Sequence, residues 1–107
     1  LLSTHAYRKF FMHRTGHWLG MDVHDVGEYK LDGEWRTLEP GMILTIEPGL
    51  YFIPSLLAQL KMRPEAKAVN WAKVEQLMPY GGVRIEDEVH CTGGEPENLS
   101  RDAFAAL

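Results

Sequence analysis

The sequence predicts an α+β fold built on a curved antiparallel sheet. Two observations predict it. Runs of β-branched and aromatic residues are bounded by Pro-Gly and Gly-Gly turn signals, and a helix-patterned stretch over 55–80 separates the two longest of them. Strands divided by helical and turn segments, with no repeating βαβ alternation, favour antiparallel pairing.

The first strand-like stretch, FFMH at 10–13, is short and apolar. The second, MILTIEPGLYF at 42–52, follows the turn signal Glu39-Pro40-Gly41. The stretch SLLAQLKMRPEAKAVNWAKVEQLMPY reads as two helical pieces separated near Pro64. Asn70 is placed to cap the second piece, and Pro79 with Gly81-Gly82 ends it. The third strand, GGVRIEDEVHCT at 81–92, alternates, with Val83, Ile85, Asp87, Val89 and Cys91 on one face. Its other face carries Arg84, Glu86, Glu88 and His90.

With 107 residues the chain is long enough for one modest domain with a core of its own. Apolar residues make up 45% and charged residues 24%, an ordinary globular composition. Eleven basic against fifteen acidic residues give a net charge of −4, with no basic block, so no nucleic-acid partner is expected. No apolar run approaches the roughly 18 residues of a membrane span, so no membrane partner is expected either. Cys91 stands alone and cannot form an internal disulfide, which fits a reducing cytoplasm. Leu1 is not a methionine and the opening is abrupt, so the sequence is expected to be trimmed or to belong to a longer protein.

Residues 13–25, HRTGHWLGMDVHD, hold three histidines and two aspartates. The first two histidines have the spacing of an H-E-x-x-H zinc helix, but Arg14 occupies the glutamate position. Gly16 and Gly20 would each cost such a helix about 1 kcal/mol relative to alanine. An irregular strand–turn–strand that carries the histidines toward a cleft is the better reading. Taken singly, each histidine is an ordinary hydrogen-bonding side chain.

Glu47 sits inside the apolar run ILTIEPGLY, where an unpaired charge costs several kcal/mol. It therefore needs a proton or a cation, either Arg84 in an ordinary ion pair or a metal ion. Glu86 lies on the polar face of its strand and reads equally as a solvated carboxylate or a ligand. Asp87 is on the apolar side and is expected to be hydrogen-bonded, or its strand bulged or near an edge. One histidine with two glutamates suits Mn²⁺, Zn²⁺ or Fe²⁺ better than Mg²⁺ or Ca²⁺.

Taken together, FFMHRTGHWLGMDVHDVGEY, LEPGMILTIEPGLYF and GGVRIEDEVHCTGGEPENLS resemble the C-terminal half of the pita-bread metallopeptidases. Within that family the chain is similar to Xaa-Pro aminopeptidases (aminopeptidase P) and Xaa-Pro dipeptidases (prolidases). HWLGMDVHDVG is more like the former, and the helical insertion over 55–80 more like the latter. Methionine aminopeptidases and creatinases are less similar.

The resemblance implies a curved sheet with helices on its outer face and a site of two divalent ions, Mn²⁺ foremost, with Zn²⁺, Co²⁺ or Fe²⁺ as alternatives. His17, Glu47 and Glu86 would be metal ligands, with Glu86 bridging, and Glu47 would also take the nucleophile's proton. His13 and His24 would act in catalysis as hydrogen-bond donors to substrate, with Tyr51 and Arg84 in support around the cluster. Two aspartate ligands are expected upstream. Asp22, Asp25 and Asp32 do not match them. Residues 1–107 would then form the C-terminal portion of the catalytic domain, lacking its first half and the N-terminal domain.

The implied reaction is hydrolysis of the Xaa-Pro bond by a metal-bridging hydroxide, releasing the residue before proline from a peptide. The two alternatives are a dipeptidase and a non-catalytic peptide- or protein-binding module. The longer enzyme is expected to be a homo-oligomer, dimer or tetramer, and the 107 residues inactive alone.

Overall fold

A computed structural model describes residues 3–107, so the opening Leu1-Leu2 lies outside the described residues. In chain order the strands are β1 (Lys30–Leu31), β2 (Glu34–Trp35), β3 (Ile43–Ile46), β4 (Gly49–Tyr51), β5 (Gly82–Arg84), β6 (Asp87–His90) and β7 (Glu97–Asn98). The helices are α1 (Pro54–Lys61), α2 (Trp71–Leu77) and α3 (Leu99–Ala105). The class is α+β, as the sequence predicts, and all strand pairing is antiparallel. The chain divides into two compact units. One contains the residues up to His13 with Pro48–Ile85, the other Arg14–Glu47 with Glu86–Leu107.

The first unit owns the apolar core. Ala6, Phe10, Phe52, Leu57, Leu60 and Val74 are buried together, and Val69, Trp71, Leu77 and Met78 pack against them. Proline at its first turn starts α1, where a missing N–H costs nothing. The helix ends before Pro64 because Arg63 is held extended, ψ 153°, by the ring that follows it. Asn70 caps α2 as expected, its side chain accepting the Lys73 N–H at 3.1 Å.

FFMH is not a strand. A short 3-10 helix over Ala6–Lys9 precedes it, and Phe10 turns into the core edge-on to Phe52, with ring centroids 6.1 Å apart. The Phe10 carbonyl accepts the Tyr51 N–H at 2.8 Å, so the segment borders β4 without forming a regular ladder. Burial of one large side chain outweighs the pleat that its neighbours would favour.

The second unit is built on β3–β6–β7, with Ile43 opposite His90 and Ile46 opposite Asp87. Thr15–Leu19 runs along β3: Thr45 N–H donates to the His17 carbonyl at 2.9 Å, and Glu47 N–H to the Thr15 carbonyl at 2.6 Å. Only glycine permits this approach, since a Cβ on Gly16 would stand 2.0 Å from the Thr45 carbonyl oxygen. The small β1–β2 hairpin turns at Asp32-Gly33, both at positive φ (51° and 88°), a pairing that the Asp-Gly dipeptide favours.

The two long strands read from the sequence are each broken. MILTIEPGLYF divides at Glu47-Pro48 into β3 and β4, and GGVRIEDEVHCT divides at Ile85-Glu86 into β5 and β6. Pro48 cannot donate to a ladder, which ends the first half there. The alternation consequently fails at its start: Val83 and Ile85 are exposed, and Val89 is the buried residue. Among the described residues, no helix is long and apolar enough to cross a membrane.

Candidate metal centre

Both strand breaks carry a glutamate. Glu47 follows the last residue of β3, and Glu86 precedes the first residue of β6. With His17, from the segment alongside β3, they place one ligand atom each within 4.8 Å of one another. All three belong to the second unit. The opening stretch is therefore no helix; Trp18 makes a β-bridge to Leu44, and the residues around it are irregular.

Thr45 organises two of the three residues. Its side chain is almost fully buried at 1% exposure, and its hydroxyl accepts the His17 backbone N–H at 3.0 Å. The same hydroxyl donates to Glu47 Oε1 at 2.9 Å. Glu47, itself only 7% exposed, also faces His17 Nε2 through that oxygen at 3.0 Å. At the other side of the ring, His17 Nδ1 lies 2.8 Å from the Trp18 carbonyl oxygen.

A carbonyl cannot donate, so Nδ1 carries the proton and Nε2 is the atom presented to the carboxylate. In a neutral ring this sets a lone pair against a carboxylate oxygen, and a cation must sit there to make the contact favourable. A proton or a metal ion serves. The backbone-anchored imidazole with its free nitrogen turned to a carboxylate is the arrangement metal-binding histidines adopt. The donor set, one imidazole and two carboxylates from three segments, fits Mn²⁺, Zn²⁺ or Fe²⁺.

His24 belongs to the same unit. Its ring lies 4.3 Å from that of His17, centroid to centroid, and the residue is exposed. The loop that carries it is held by Asp25, whose carboxylate accepts the backbone N–H groups of Met21 at 3.2 Å and Val26 at 2.9 Å. Asp32 is used in the hairpin turn. Neither aspartate, nor Asp22, joins the ligand group among the described residues.

His13, Tyr51 and Arg84 belong to the first unit. His13 Nε2 and the Tyr51 hydroxyl share a 2.9 Å hydrogen bond, and the rings meet edge to face at 5.4 Å. Arg84 stands opposite Gly49 in the β4–β5 ladder.

Sequence reasoning missed Thr45. Its position two residues before Glu47 puts both on one face of a strand, and that spacing was the available signal. It also missed the cluster on β6: Asp87 accepts from Asn98 Nδ2 at 3.1 Å and pairs with Arg101 Nε at 2.9 Å. The Asn98 hydrogen bond, aided by the Arg101 guanidinium against a small opposing effect of burial, holds the Asp87 carboxyl below its ordinary value.

A broken antiparallel hairpin bearing one histidine and two glutamates defines a chain equipped to bind divalent metal. The model of metallopeptidase family M24 matches residues 1–93, and the chain belongs to that family. It is similar to the Xaa-Pro dipeptidase of Xanthomonas campestris pv. campestris (strain 8004), 48% identical over 98% of this chain and 27% of the relative. The Xaa-Pro dipeptidase of Stenotrophomonas maltophilia (strain K279a) is 47% identical over the same shares.

Among solved structures, Pseudomonas aeruginosa aminopeptidase PepP superposes with a TM-score of 0.68 at 46% identity, covering 94% of this chain and 20% of that one. Escherichia coli aminopeptidase P with the inhibitor Pro-Leu gives 0.67 at 45% identity, over 95% and 19%. The chain thus has the fold of the corresponding part of these enzymes and spans about a quarter of the length of the curated relatives it matches.

Proposed function

We propose that the polypeptide carrying this chain is a divalent-metal-dependent peptidase that cleaves the bond between an N-terminal residue and a following proline. The observation that carries the reading is the convergence of His17, Glu47 and Glu86 within 4.8 Å at two strand breaks. Names of similar proteins, Xaa-Pro dipeptidase and aminopeptidase P, supply the substrate class. In this reading residues 1–107 are the C-terminal portion of the catalytic domain, and further ligands, two aspartates, come from upstream.

Bound at such a site, divalent ions polarise a carbonyl and lower the pKa of water. The chain's own residues do the rest. His17 offers Nε2 because its other nitrogen is held on the Trp18 carbonyl. Glu47 is fixed by Thr45 and takes the proton of the attacking water. His24, exposed beside His17, donates to the oxygen that gains charge, a contribution of about 2.7–4 kcal/mol for such donors. In the first unit, His13 with Tyr51, and Arg84, are assigned to binding peptide substrate.

Proline makes a dedicated enzyme necessary, because its amide lacks an N–H and restricts the residue before it. The test uses the longer polypeptide with Xaa-Pro dipeptides and with longer Xaa-Pro peptides. Release of the first residue, lost with chelator and restored by Mn²⁺, supports the proposal. Undiminished cleavage in metal-depleted buffer refutes it.

A dipeptidase is the second reading, favoured by the curated relatives at 48% identity, and cleavage confined to dipeptides would establish it. A non-catalytic binding module is disfavoured by the intact His–Glu–Glu set.

A further inference from the structure

Glu86 and Glu47 are held very differently. Glu47 is buried and takes both the Thr45 hydroxyl and the His17 ring on one oxygen. Glu86 is exposed and stands one residue beyond the end of the β3–β6 ladder, whose last pair is Ile46 with Asp87. What fixes the backbone at Asp87 and Glu88 therefore fixes where the Glu86 carboxylate points.

That support comes from α3 and its cap. Arg101 Nε reaches both oxygens of Asp87, at 2.9 and 3.1 Å. Asn98 donates to Asp87 Oδ2 through Nδ2 at 3.1 Å, while its Oδ1 accepts the Arg101 N–H at 2.9 Å, so one side chain joins the helix start to the strand. Ser100 Oγ accepts the Glu88 N–H at 2.9 Å and donates back to the Glu88 carboxylate. Three consecutive-turn side chains thus close on the two residues that follow Glu86.

This helix has no other strong attachment. Seven residues are too few to be stable alone, where about 12–15 are needed. None of its residues is buried. It also lies beyond residues 1–93, the span matched by the family model. Its polar bonds are not spread along β6 but gathered at the end next to Glu86.

We propose that α3 is a latch in which Arg101, Asn98 and Ser100 are positioning residues for Glu86 and set the affinity of its metal ion. The proposal rests on the reading of Glu86 as a ligand. None of the three touches metal or substrate. They act through Asp87 and Glu88, by removing the backbone freedom that would let the exposed Glu86 carboxylate swing away from His17 and Glu47.

The experiment measures Mn²⁺ affinity of the longer polypeptide by competition with a fluorescent chelator, well below the melting temperature, in Arg101→Ala, Ser100→Ala, Arg101→Lys and His17→Ala. Circular dichroism checks that each variant is folded. Arg101→Ala and Ser100→Ala are each expected to weaken Mn²⁺ binding, the former about tenfold, and Arg101→Lys to recover most of the loss. A helix that merely stabilises the fold would lower the melting temperature and leave the Mn²⁺ dissociation constant unchanged. That result overturns the latch, and Ser100→Ala, the mildest change, can deliver it even if Arg101→Ala does not fold. If His17→Ala also leaves binding unchanged, or the parent binds no Mn²⁺, the metal reading itself falls and the latch with it.

Discussion

His17 Nε2 faces Glu47 Oε1 at 3.0 Å while the opposite ring nitrogen is committed to the Trp18 carbonyl. A buried carboxylate in this contact requires a cation, and Glu86 brings a second carboxylate to the same place. On the longer polypeptide, His17→Ala or Glu86→Ala is expected to lower Mn²⁺ affinity and Xaa-Pro cleavage by at least about 100-fold. Either variant retaining full activity without added metal would remove that residue from the ligand set.

Thr45 fixes the pair through one hydroxyl that accepts from His17 N and donates to Glu47 Oε1. Thr45→Val keeps the shape but leaves both groups unsatisfied, at a cost of about 1–3 kcal/mol in stability. Mn²⁺ affinity should fall with it. Thr45→Ser, which restores the hydroxyl, should bring the affinity back, and equal affinities in the Val and Ser variants would contradict the assignment.

Gly16 lets the histidine segment lie against β3, because a Cβ there would meet the Thr45 carbonyl oxygen at 2.0 Å. Backbone cannot yield as a flexible side chain can. Gly16→Ala should destabilise the protein by about 1–3 kcal/mol in urea unfolding. An unchanged midpoint would mean that the approach is looser than described.

The first unit depends on its apolar core, in which Leu60 is among the most buried residues. Leu60→Ala should cost about 2–5 kcal/mol. The substitution touches no proposed ligand, so activity measured per folded molecule should persist.

Asp87 couples the latch to pH. Asn98 and then Arg101 depress its folded-state pKa, so the unfolded chain binds the proton more readily. Its contribution is complete above its ordinary value of 3.8 and disappears as pH falls through the lower folded value. Stability should therefore decline on this acid limb, and Asp87→Asn should flatten the decline. A variant whose acid limb matches the parent's would exclude Asp87 as its source.

Local patterns legible in the chain were those with local causes. Asn70 caps α2, Pro64 separates two helical segments, and the α+β class follows from turn signals around β-branched runs. His17, Glu47 and Glu86 could be named because their motifs resemble those of a metallopeptidase family, and the chain belongs to family M24. Where each would lie relative to the others was not legible, since they are separated by long stretches of sequence.

Tertiary structure decided what depended on such distant neighbours. It broke each long strand beside a glutamate, turned Phe10 into a core instead of a strand, and left Val83 and Ile85 exposed. It also joined Thr45 to both His17 and Glu47, and brought Asn98 and Arg101 to Asp87 across a chain reversal. Periodicity reports which face a side chain takes within its own element. Which group meets it there depends on the register of a different strand, and that exists only once the chain has folded.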